Sequence, residues 1–193
     1  MLHVVVDAQV DFMLPSGKLY VPGAETIIPN LCEYLTKIDL NDTVLFTFDT
    51  HTKHQYEGSD ESKSFPIHCE LGTVGHKLVV PSEICGGNPF YFYKNIFSMW
   101  DAPDSPSAIS NLDFPDCWYT ASREKFIEDS YAKNKDVMIS GVASDFCVIG
   151  AIKGFVERGF NVKVDPRLCR GINKTIEEVR EEFGGCFDLA SAY

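Results

Sequence analysis

Four short, nearly continuous apolar runs constrain the fold of this chain more than any other feature. They are LHVVVD (Leu2 to Asp7), TVLFTFDTH (Thr43 to His51), DVMISGV (Asp136 to Val142) and FNVKVD (Phe160 to Asp165). A strand with one wet face alternates apolar and polar residues, whereas unbroken runs suit strands covered on both faces of a parallel sheet. Between them lie helix-like segments. AETIIPNLCEYLTKI carries Pro29 as a kink or true start, and Arg123 to Lys133 follows a Pro/Asp/Ser-rich turn region. ASDFCVIGAIKGFVERGF has Ser144 as expected N-cap and Gly159 as stop, and TIEEVREEF closes the series. Lys53 to Ser64 is polar and reads as a loop. Strand and helix in alternation predict an α/β sandwich around a mostly parallel sheet. The 193 residues suffice for one domain, 1–193, and no repeat or linker divides them.

Charge narrows the partners. Seventeen basic against twenty-eight acidic side chains give a net charge of −11, which repels phosphate backbones and anionic bilayers, so neither nucleic acid nor membrane is expected. No apolar run approaches a membrane span, and the amino terminus has no signal-type core. Seven cysteines without a CxxC pair predict reduced thiols in the cytoplasm rather than a disulfide scaffold.

In open parallel sheets ligands sit beyond the carboxyl ends of the strands. Asp7 follows the first run, Asp49 and His51 the second, and Cys147 lies shortly after the third. Cys147 has two readings. In the first turn of a helix its thiolate would be stabilised and its pKa lowered, with backbone N–H groups at hand for an oxyanion; alternatively it is a small buried hydrophobe. No histidine has an evident path to it, so Asp7 on a neighbouring strand is the candidate base. Lys94, after the aromatic run FYFY, would neutralise Asp7 or polarise a carbonyl; the alternative is a solvated edge charge.

A second cluster is Asp49-x-His51, whose side chains project to the same side of a strand end, with Glu61 and His68 returning downstream. Carboxylate with imidazole suits zinc, manganese or iron. His54 and Cys69 are competing ligands ranked below Glu61. His3 and His76 carry no pattern.

Taken in order, VVVDAQVDF, TFDTH, ESKSFPIHCELGT, YKNIF and SGVASDFCV make the chain resemble the isochorismatase-like cysteine hydrolases, and among them the nicotinamidases (pyrazinamidases), from residue 3 to about 170. The resemblance implies a Rossmann-like three-layer α/β/α sandwich on a six-stranded parallel sheet. It implies a triad of Asp7, Lys94 and Cys147 that hydrolyses nicotinamide to nicotinate and ammonia through a thioester, in NAD salvage. It also implies a non-proline cis peptide between Val142 and Ala143, with the Ala143 and Cys147 N–H groups as oxyanion hole. Asp49, His51 and His68 match the metal ligands and Glu61 an additional carboxylate of one branch. The divalent metal, zinc before iron or manganese, would anchor the pyridine nitrogen, and Phe12 and Phe65 would pack on the ring. Family members range from monomers to tetramers, so a homo-oligomer is within the implied range.

Two departures bear on the pocket. Ser98, Met99 and Trp100 stand where a small residue and phenylalanine are expected after the serine, so Trp100 is read as pocket wall. The loop from His51 to Glu61 is slightly longer than in the branch with the extra carboxylate. The competing readings are a related amidohydrolase acting on a ureido or carbamoyl compound, a metal hydrolase with an inert Cys147, and a catalytically silent module of the same fold.

Overall fold

The computed structural model describes residues 1–111 and 119–190. The apolar runs form the middle of one sheet. Strand β1 (Leu2–Val6) pairs in parallel with β2 (Thr43–Asp49) on one side and β6 (Asp136–Val142) on the other. Beyond β2 lies β3 (Asn88–Lys94), and beyond β6 lie β7 (Asn161–Arg170) and β8 (Asp188–Leu189), all parallel. Two-residue strands β4 (Ile109–Ser110) and β5 (Thr120–Ala121) add antiparallel to the β3 edge, giving the order β5-β4-β3-β2-β1-β6-β7-β8. The expected six parallel strands are present, but the sheet has eight. The extra pair is too short to carry a periodic signal.

Successive side chains on a strand point to opposite faces, and both faces here are dry. Val4 and Val6 join Leu45, Phe92 and Ile139 in a core with α4 (Arg123–Lys133), α5 (Ile149–Glu157) and α6 (Ile176–Glu182). Val5 joins Phe46 and Val44 against Leu31 and Leu35 of α2 (Ile28–Thr36) on the other face. This double coverage explains why the runs do not alternate. Pro29 marks the start of α2, where its missing N–H costs nothing, after a 3-10 turn over Ala24–Ile27. Thr175 and Glu178 form a reciprocal capping box on α6.

Three local expectations are corrected. The polar stretch after His51 is not all loop: α3 (Lys53–Tyr56) begins at Thr52, whose hydroxyl accepts from the Gln55 N–H at 3.5 Å, and a 3-10 turn covers Glu61–Lys63. The last run continues past Asp165 to Arg170. Ser144 does not cap its helix. Ala143 holds that position, and Ser144 is fully buried in a wide π-turn over Ser144–Val148 that feeds α5. Gly159 does end α5, at φ +82°, a conformation favouring glycine.

Strand order reverses across β1, with β2 and β3 laid down to one side and β6 and β7 to the other. Ligand crevices form at such a switch point. There Asp7 leaves β1, and Asp49 pairs with Lys94 in the β2–β3 register. Ala143 follows β6 through a Val142–Ala143 peptide bond that is cis.

Candidate active site

Asp7, Lys94 and Cys147 meet in one buried knot. Lys94 Nζ lies 2.8 Å from Asp7 Oδ2 and donates to Cys147 Sγ at 3.7 Å. Asp7 is turned at φ +48° as its strand ends, and its other oxygen accepts from the Thr47 hydroxyl at 2.6 Å. All three are at most 6% exposed, so Lys94 is not a solvated edge charge. Burial alone would pull the Lys94 pKa down; the Asp7, Cys147 and Asp49 charges outweigh it and hold the ammonium well above its ordinary range.

The thiol behaves differently from the sequence expectation. Burial pushes Cys147 well up, and Asp7 and Asp49 add to the shift while Lys94 opposes it. The thiol also hydrogen-bonds to Asp7. The resting group is therefore a neutral S–H held against a carboxylate. Burial of the sulfur, with two acids beside it, outweighs one lysine and a single turn of helix dipole.

Asp49 Oδ2 lies 3.1 Å from His51 Nε2 and 3.0 Å from His68 Nε2, while Glu61 stands 3.7 and 3.3 Å from the same nitrogens. One donor atom from each of the four residues lies within 4.8 Å of the others. His54 is exposed, and Cys69, though buried, spends its N–H on Asp11 at 2.7 Å; neither joins the cluster.

The donors fit a cation. His68 Nδ1 lies 2.8 Å from the Pro66 carbonyl, which can only accept, so in the neutral ring Nε2 turns its lone pair to the cluster. Asp49 Oδ1 and Glu61 Oε1 are buried without a hydrogen-bond partner. Burial pulls His68 down, but the hydrogen bond and charge of Asp49, with Glu61 and the Pro66 carbonyl beside the ring, raise it to about 9, so the cluster favours positive charge. Two imidazoles with carboxylates suit zinc.

A small apolar cavity lies over the sulfur. Phe12, Phe65, Phe97, Phe146 and Ala143 line it with Cys147. Phe12 also packs on His68 with ring centroids 5.2 Å apart, and Phe65, Phe97 and Phe146 meet pairwise at 5.6–6.2 Å. Its free volume of about 20 Å³ holds one water, so an aromatic substrate enters only as these rings give way. Sequence reasoning missed Phe97 and Phe146, although both sit inside motif blocks, Phe146 directly before Cys147. A larger cavity of about 350 Å³, around His3, Tyr34 and Arg167, contains none of these groups.

Trp100 is placed elsewhere. Its indole N–H donates to the Ala151 carbonyl at 3.2 Å, its ring meets Phe155 edge-on, and the Arg158 guanidinium lies 3.9 Å from the ring centroid. The reading of Trp100 as pocket wall is corrected: Gly154 on α5 leaves a flat seat that the indole fills. Trp100→Leu is expected to lower the urea midpoint while leaving kcat/KM of any reaction carried by Cys147 within about two-fold, because the packing, the indole hydrogen bond and the cation–π contact it loses all lie away from that thiol. A ten-fold fall in kcat/KM at unchanged stability would restore Trp100 to the pocket.

Among the described residues no helix is long and apolar enough to cross a membrane. The six cysteines described, Cys147 among them, are free thiols.

The chain is 24% identical over 211 residues to a nicotinamidase of Saccharomyces cerevisiae, covering 93% of each. Its fold is similar to the zinc complex of a Pyrococcus horikoshii pyrazinamidase, with TM-score 0.69, 24% identity and coverage of 99% and 98% of this and that chain. It is also similar to a Bacillus subtilis nicotinamidase, with TM-score 0.71, 17% identity and 98% of each chain covered. At these identities the structural likeness speaks to the fold alone. The isochorismatase domain model matches residues 1–180, and on that match the chain belongs to the isochorismatase domain family.

Proposed function

We propose that this protein is a nicotinamidase that hydrolyses nicotinamide to nicotinate and ammonia through a thioester on Cys147. The observation that carries the reading is the placement of Asp49. One of its oxygens faces both imidazoles of the cation cluster, and the other lies 3.8 Å from Lys94 of the thiol site. A cation site and a nucleophile thus share one wall. The amidases named above are similar in fold and support the substrate class.

In this reading Asp7 takes the Cys147 proton as the sulfur attacks the amide carbon. Lys94 stays charged beside both and holds Asp7 in line. The Ala143 and Cys147 N–H groups face the oxygen as it gains charge. The C–N bond then breaks, Asp7 returns its proton to the departing ammonia, and water hydrolyses the thioester to nicotinate. Phe12 and Phe65, with Phe97 and Phe146, exclude solvent from the ring. Asp49, His51, Glu61 and His68 would hold a divalent metal, zinc before iron or manganese, which would supply a Lewis-acid anchor for the pyridine nitrogen. Such an enzyme serves NAD salvage in the reducing cytoplasm, where its thiols persist.

The test is ammonia release from nicotinamide with metal analysis of the same sample. Equimolar nicotinate and ammonia with about one metal ion per chain is expected. A metal-free protein that turns over a carbamoyl compound but not nicotinamide would overturn the reading.

A further inference from the structure

Asp49 is the hinge of both half-sites, yet it lies beyond the end of its neighbouring strand. The β1–β2 register stops at Val6 opposite Thr47, and the Asp7 N–H still reaches the Thr47 carbonyl at 3.2 Å. Asp7 then turns the chain away from the sheet with its positive φ. The following residues pair instead with 77–79: the Val10 N–H donates to the Lys77 carbonyl and the Val79 N–H to the Ala8 carbonyl. Strand β2 runs on to Asp49. On its other side the strand remains tied to β3, since the Thr50 N–H donates to the Lys94 carbonyl at 2.7 Å. The Asp49 N–H and C=O on the β1 side have no strand to pair with. Buried, both would be costly.

Gln9 fills that place with its side chain. Its Oε1 accepts from the Asp49 N–H at 2.8 Å, and its Nε2 donates to the Asp49 carbonyl at 2.8 Å and to the His76 carbonyl at 3.0 Å. The residue is fully buried, so neither bond competes with water. One amide therefore imitates the missing strand at the single residue whose carboxylate faces the imidazoles and Lys94. We infer that Gln9 is a positioning residue that sets the metal affinity of the site by clamping the main chain of Asp49. The inference rests on the reading above, because it takes Asp49 as a metal ligand.

Partners that orient a metal ligand typically change affinity by about 10- to 100-fold when removed. Gln9→Met nearly preserves shape and drops all three bonds. Its zinc Kd, measured against a competing chelator, is expected to rise by about that factor. KM for nicotinamide should rise at limiting zinc and return to the wild-type value at saturating zinc, with kcat unchanged. A side chain serving only stability would lower the urea midpoint without a zinc-reversible KM. Gln9→Asn, which keeps an amide but falls one methylene short, carries the same prediction should Gln9→Met fail to fold. A zinc Kd within two-fold of wild type in a folded variant would overturn the inference and leave the nicotinamidase reading standing. Wild-type protein that takes up no zinc, iron or manganese would overturn both.

Discussion

Replacing Cys147 by alanine is expected to abolish ammonia release from nicotinamide, by at least about 10⁴-fold in kcat, while zinc content stays at the wild-type level. The size follows from removing a covalent nucleophile, after which an acid, a lysine and a solvent water must do the reaction without a thioester. The metal should stay because sulfur is not among the candidate donors Asp49, His51, Glu61 and His68. Stability should change little. Cys147 is 6% exposed in an apolar cluster, so loss of its sulfur forfeits a small apolar volume and the thiol's contacts with Asp7 and Lys94. Kinetics, metal analysis and urea unfolding of one preparation separate these outcomes. Retained turnover would mean that a metal hydrolase operates and that the thiol is inert. Lost turnover with lost zinc would mean that the two half-sites fold as a unit.

What could be read from the sequence was what local pattern determines. DVMISGV became β6 residue for residue, because an apolar run buried on both faces needs no tertiary information to be recognised. The convergence of Asp7, Asp49 with His51, and Cys147 is expected from placing polar residues beyond the carboxyl ends of parallel strands; Lys94 is not part of that argument. The thiol pKa went the other way. A helix start suggests a lowered value, but the outcome depends first on burial of the sulfur and then on two carboxylates brought in from other strands, 42 residues apart in the chain. Trp100 failed for a similar reason, since a motif fixes where a residue lies and not which way its ring turns; Gly154, on a helix 54 residues later, supplied the seat. Gln9 gave no signal at all. Its role exists only because β1 stops two residues before its neighbour, a fact of register that no single segment encodes.

Lys94→Met is expected to cost about 3–5 kcal/mol at pH 7, together with most of the activity. The ammonium has contacts on three sides: Asp7 at 2.8 Å, Cys147 at 3.7 Å and Asp49 at 3.8 Å. Methionine fills the volume but leaves two almost fully buried carboxylates without their shared cation. The pH dependence identifies the cause. In the wild-type protein burial pushes Asp49 up, but Lys94 and the two histidines more than offset this and hold it well below its ordinary 3.8. A carboxylate depressed in this way contributes stability above pH 3.8 that is lost only as the pH falls below that value. Without Lys94 Asp49 takes up its proton at higher pH, so the variant gains relative to wild type as the pH drops from 7 toward 4. The deficit seen in urea should therefore shrink steadily across that interval. Added zinc should recover part of it at pH 7, because it would neutralise Asp49, while Asp7 would keep only the Thr47 hydroxyl and the Cys147 thiol as side-chain donors. A deficit independent of pH would indicate lost packing and would remove Lys94 from the electrostatic account of the site.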